Sequence, residues 1–225
     1  MKLNITMIKR LAIKDWELNQ KAIAAYVLGG IASMGVLSVP HLYAFYMGSI
    51  LLLTILIAAG FQIVNATIIQ EKKEQTVPFI MSLPVRPIEF ALAKMIANIV
   101  IFFIPWCVIV VGFTFLILTG PIPDGILIFF YLMAIYLVAN YFIVLCVALN
   151  TESEGWTIFT MVTVNILINP VIMLLLRSPD IYGTFENDII AWTNLASYFV
   201  LGQLVIIAIS IALILFRQSR RVTFI

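Results

Sequence analysis

The chain has 225 residues, of which 63% are hydrophobic and 11% charged, with a formal net charge of +2 and a mean hydropathy of +1.12. An ordinary soluble domain carries about 25% charged and about 45–50% apolar residues, so a single water-soluble core cannot bury this much apolar surface. Disorder, a nucleic-acid module and a secreted disulfide scaffold are excluded, because each needs polar or cysteine-rich sequence; an all-α integral membrane protein remains.

Residues 1–21 form the first segment. Leu3, Met7, Leu11 and Leu18 recur at helical spacing, with Lys2, Lys9, Arg10 and Glu17 towards the other side, so residues 3–20 read as an amphipathic helix lying on the membrane surface. An irregular basic tail is the alternative. From residue 22 to 216 the charges cluster between long apolar intervals. A bilayer span needs about 20 mostly apolar residues, and six intervals qualify: 22–40, 43–69, 95–118, 125–149, 156–176 and 194–216. None contains Asp, Glu, Lys or Arg, and a central charge would cost about 2.5–3.5 kcal/mol on insertion scales. Residues 217–225 form a basic tail.

Drawn as an alternating path, one side holds Lys2, Lys9, Arg10, Lys14, Lys21, Lys72, Lys73, Arg86, Lys94, Arg217, Arg220 and Arg221, and the other holds Arg177 alone. The positive-inside rule then predicts a multi-pass protein of the cytoplasmic (inner) membrane with both termini in the cytoplasm. The basic side needs only the inner leaflet of the lipid bilayer or a cytosolic partner to explain it. Of the external connections, His41 after Pro40 marks a minimal turn, Gly120 to Asp124 a short one, and residues 177–192 a longer one. Glu186 to Trp192 reads either as a short interfacial helix or as a solvated loop.

The chemical inventory is thin. There is one histidine, no cysteine pair at metal spacing and no carboxylate inside a span, which argues against a catalytic or metal centre. Cys107 and Cys146 lie in apolar runs and read as inert thiols. No Gly is followed by Lys, so no phosphate-binding loop is present. The chain is expected not to be an enzyme, and any ATP it depends on is bound elsewhere.

The cytoplasmic connection QEKKEQTVPFIMSLPVRPIEFALAK, residues 70–94, is unlike a solvated loop. Charges at Glu71, Lys72, Lys73 and Glu74 precede an apolar run from Val77 to Leu83. Pro78 suits the first turn of a short helix, and Pro84 and Pro87 end it in an elbow. This segment resembles the signature of the type-2 ATP-binding-cassette (ABC) exporter permeases: Glu, three variable residues, Gly-Thr, an apolar run, Ser-Leu-Pro, then Glu and a Lys opening the third span. Here Glu71, Thr76, Ser82, Leu83, Pro84, Glu89 and Lys94 stand at those places, while Gln75 replaces the Gly and Pro78 a helix former. The resemblance implies a six-span permease in which Glu71, Glu74, Thr76, Phe79, Ser82 and Leu83 belong to a coupling helix, and Pro84, Glu89 and Lys94 to its elbow. It implies two cytosolic ABC ATPase subunits carrying ATP and Mg, a second copy or a related permease as partner, and no cofactor in this chain.

Ala25, Gly29 and Ser33 repeat at four-residue spacing on the first span, a face suited either to permease–permease contact or to packing within one subunit. In the fifth span Asn165 and Asn169 lie one turn apart before Pro170, as helix glue or as part of a wetted path. Gln62, Asn65, Asn98, Asn140 and Gln203 are scattered polar points. A lining otherwise of Leu, Ile, Val, Phe, Met and Ala cannot replace the hydration shell of an ion, so the expected cargo is a hydrophobic or amphipathic peptide, lipid or drug-like compound. An ion-coupled secondary transporter and a membrane scaffold recruiting a cytosolic partner are the alternatives.

Overall fold

A computed structural model describes residues 4–73, 86–120, 122–151, 153–186 and 188–220. Among them there are helices and no strands. We label them α1 (Ile5–Leu37), α2 (Leu42–Val64), α3 (Pro87–Thr119), α4 (Ile126–Thr151), α5 (Glu154–Ile166), α6 (Ile168–Arg177), α7 (Pro179–Glu186) and α8 (Asn194–Arg220). With α5 and α6 taken together, six helical rods are long and apolar enough to cross a membrane, the architecture of a multi-pass membrane protein.

The first helix departs from its expected division. It runs without interruption from Ile5 to Leu37, with no break near residue 21. Its buried side is Ile8, Asp15, Asn19, Ile23, Gly30 and Ser33, while Leu18 from the expected stripe is 70% exposed. The buried face therefore lies about one position C-terminal to the stripe of Leu3, Met7, Leu11 and Leu18, about 100° around the helix. A π-helical turn, Asn65–Ile69, continues α2 into a last α turn, Gln70–Lys73; the Thr67 hydroxyl donates to the carbonyl of Ile63 there. The fifth span breaks at Leu167 between α5 and α6. Pro170 accounts for the break: it has no N–H to bond back and its ring crowds the carbonyl four residues earlier.

The rods alternate direction. Asp15 meets Lys94, Lys73 meets Glu154, and Gln218 donates to the carbonyl of Leu149. One end of the bundle therefore gathers the start of α1, the flanks of the 74–85 connection, the α4–α5 junction and the end of α8. The opposite end carries the turns at 38–41 and 120–125 and the segment 178–193. There the helix lies at Pro179–Glu186, with Pro179 at its start and Asp180 in the first turn, and not at 186–192. Asp188 adopts a φ of 50° and accepts a hydrogen bond from the Gly125 amide at 3.2 Å, while the Thr184 hydroxyl donates to the Gly125 carbonyl.

At the centre stands α4, 78% buried over its most apolar stretch against 17% for α8. Close approach around it depends on glycines. A Cβ on Gly30 would sit 2.7 Å from Ile109 on α3, and one on Gly60 3.1 Å from Tyr141 on α4. Of the small-residue stripe, Gly29 packs on Ile55 of α2, Ser33 is buried with its hydroxyl on the Gly29 carbonyl, and Ala25 is exposed.

Candidate functional site

Both stems of the 74–85 connection are fastened to α1. On the leading stem, Glu71 is 9% exposed and takes an ion pair from Lys14 at 2.8 Å and another from Lys94 at 2.5 Å. On the returning stem, Lys94 is 2% exposed and donates to both oxygens of Asp15, at 3.0 and 2.8 Å. Lys14, Asp15, Glu71 and Lys94 thus form a cluster of two cations and two anions. Removing such charges from water costs several kcal/mol per ion, and close pairing with additional hydrogen bonds is what offsets it.

Glu89 makes a second fastening. It stands at the third position of α3, where an acid reaches back to the N-cap amide, and accepts from the Arg86 amide at 3.1 Å. It also accepts from the amide of Asn4, the N-cap of α1, at 2.9 Å. The Arg86 guanidinium closes on it at 2.7 Å. One carboxylate therefore satisfies orphan donors at the beginnings of two helices. Lys73 pairs with Glu154 at 2.7 Å, more than 40% exposed on both sides, and surface pairs of this kind contribute about 0–1 kcal/mol.

A buried polar ladder continues from the cluster into the bundle. The Asn98 amide group, one turn along α3, donates to the Lys94 carbonyl at 2.9 Å and to the Thr67 hydroxyl at 2.8 Å. The Tyr141 hydroxyl donates to the Asn98 carbonyl at 2.9 Å, and the Tyr141 ring stacks on Phe102 at 4.0 Å and 9°. Next to that stack lies a small cavity of about 40 Å³, lined in part by Gly60, Phe102, Asn140, Tyr141, Val164 and Asn165. Asn140 is 8% exposed, and its Nδ2 has no hydrogen-bond partner among the described residues. The volume is enough for a water or a carbonyl group, and the lining is apolar except for the amides and the phenol.

Of the residues expected from sequence to couple to a partner, Glu71, Glu89 and Lys94 are all buried and bonded within the chain. Glu74, Thr76, Phe79, Ser82, Leu83 and Pro84 lie outside the described residues. Asn165 reaches the cavity, while Asn169 is exposed beyond the Leu167 break. Sequence reasoning did not identify Asp15 and Lys14 as partners of the connection. The available signal was an acid within the apolar period of α1 together with a lysine opening the third span. No cluster of three or more His, Cys, Asp or Glu suited to a metal occurs among the described residues.

In comparisons with known proteins the chain matches no protein-family model, no curated protein and no solved structure.

Proposed function

We propose that this chain is the membrane subunit of an ABC exporter, moving a hydrophobic or amphipathic substrate across the cytoplasmic membrane and driven by ATPase subunits on separate chains. The observation that supports it best is the double fastening of the 74–85 connection to α1. A segment that receives force from a partner needs stems that do not yield, and Glu71, Lys94 and Glu89 supply such stems on both sides. From Lys94, the Asn98–Thr67–Tyr141 ladder leads to the cavity at Asn140 and Asn165. Displacement at the connection has a stiff polar route to the spans that would line a substrate path. In this reading Glu71, Glu89 and Lys94 hold the stems, and Glu74, Thr76, Phe79, Ser82 and Leu83 form the docking surface.

The test is reconstitution with the candidate ATPase subunits, with ATP hydrolysis and cargo flux measured together. Phe79→Asp and Glu74→Lys are expected to abolish stimulation of hydrolysis while membrane insertion is unchanged. Unaltered coupled transport by both variants, or failure of the wild-type chain to retain any ATPase in mild detergent, would overturn the proposal.

The buried charges favour one competing reading. A polar crevice of about 360 Å³ lies beside Lys14, Asp15 and Glu71, and buried carboxylates facing a lysine are groups that a proton-coupled carrier employs. Flux that follows an imposed proton gradient without ATP would select that reading.

A further inference from the structure

An apolar groove of about 440 Å³ runs between the first turns of α1 and the stretch 96–101 of α3. Ile8, Ala12 and Trp16 form one wall, and Ile96 and Val100, 43% and 47% exposed, form the other. Lys9 is the one charged residue in the lining among the described residues, set within an otherwise apolar stripe of α1. The bonds from the Asn4 amide to Glu89 and from the Lys94 ammonium to Asp15 fix the level of the groove. Its α3 wall begins two residues beyond Lys94, where the charge-free interval opens, and Lys9 stands on the α1 turns before Asp15. With the charge-free interval placed in the hydrocarbon layer, the groove straddles the boundary between headgroups and acyl chains.

The state of the nearby cations narrows the occupant. Lys14, Lys73, Arg86 and Lys94 are each paired with a carboxylate, whereas Lys9 and its neighbour Arg10 have no ion-pair partner among the described residues and are exposed. Among the described residues no acid lines the groove. A lysine in such a place lays its methylenes along the apolar wall and carries its ammonium to the phosphate plane. We propose that this groove is a binding site for an anionic phospholipid, with an acyl chain between Ala12, Trp16 and Val100 and the phosphate on Lys9, supported by Arg10. It stands independently of the transport reading.

The full chain is relipidated with equal amounts of phosphatidylglycerol and phosphatidylcholine, then delipidated stepwise and weighed by native mass spectrometry. Wild-type protein is expected to retain phosphatidylglycerol preferentially. One basic side chain near a membrane surface is worth about a fivefold difference in binding to anionic lipid, so Lys9→Gln is expected to lower retention about fivefold while Lys9→Arg preserves it. Val100→Trp, at a surface position, is expected to displace both lipids by filling the groove. Equal retention of the two lipids by wild type, or retention unchanged by both Lys9→Gln and Val100→Trp, overturns the proposal. Loss of a dimer with Val100→Trp, without loss of lipid, overturns it in favour of a second copy of the chain as occupant; an unchanged lipid signal with altered proteolysis at 74–85 does so in favour of that segment.

Discussion

Asp15 and Lys94 are 79 residues apart in the chain and meet at 2.8 Å, each 2% exposed. The pair sets the parallel register of α1 and α3 that recurs where Gly30 receives Ile109. Breaking a buried pair by removing one partner costs about 3–5 kcal/mol, while replacing both with apolar groups is often neutral. Lys94→Met is therefore expected to lower thermal stability in detergent strongly, because Asp15 and Glu71 both lose a cation, and Asp15→Leu combined with Lys94→Met to recover the part of the loss that belongs to Asp15. Equal stability of the single variant and wild type would show that the pair is not formed in the membrane.

Glu89→Gln is expected to loosen two helix starts together. The neutral amide keeps one acceptor oxygen but gives up the charge-assisted bonds to Asn4, Arg86 and the guanidinium, worth about 1.5–3 kcal/mol each where a charged group takes part. Amide exchange should accelerate at the first turns of both α1 and α3. Acceleration at α3 alone would mean that the bond from the Asn4 amide contributes nothing.

Asn98 and Asn140 should behave oppositely on conversion to Leu. The Asn98 side chain donates to the Lys94 carbonyl and to the Thr67 hydroxyl, so its loss leaves buried polar groups short of a partner at about 1–3 kcal/mol. Asn140 has a buried donor with no partner among the described residues, and removing it is expected to be neutral or stabilising. Thermal unfolding of the two variants side by side checks this; a destabilised Asn140→Leu would point to a bound water or ligand on Nδ2.

Gly125→Ala is expected to destabilise the opposite end of the bundle. A Cβ there would lie 1.8 Å from the backbone carbonyl oxygen of Thr184, and because backbone cannot rotate away, the segment 178–193 must shift. Overpacking of this kind costs about 1–3 kcal/mol. Limited proteolysis between α7 and α8 should speed up, and unchanged cleavage would contradict the contact.

The six rods long and apolar enough to cross a membrane were legible in the sequence because the signal is additive: about 20 apolar residues without a charge say the same thing at every position. The break at Leu167 traces to Pro170, already visible next to Asn169. The buried side of α1 was harder to place, because Leu18 faces outward and an aspartate faces inward. Period alone ranks apolar side chains as buried, and that ranking reverses where the inner partner is a lysine 79 residues away and the outer surroundings are lipid. Asn98 and Asn140 looked alike as single polar points; only the positions of Thr67 and Tyr141 separate a satisfied amide from an unsatisfied one. For the longer external connection the sequence left residues 186–192 open between a short helix and a solvated loop; the helix lies earlier, at Pro179–Glu186, because Pro179 and Asp180 suit a helix start whereas Asp188 takes a positive φ.

The uninterrupted 33-residue course of α1 has a geometric consequence. At 1.5 Å per residue it is about 50 Å long, well beyond the roughly 30 Å hydrocarbon thickness it has to cross. Such a strut has no joint at the membrane surface where a disturbance could be dissipated. Pivoting about the Asp15–Lys94 contact by about 5° would carry Leu37 sideways by roughly 3 Å, next to Gly48, where an added Cβ would already overlap the Leu37 side chain at 2.5 Å. On the proposed transport reading, a displacement imposed near Glu71 would be carried along α1 to Leu37 without an intervening helix break.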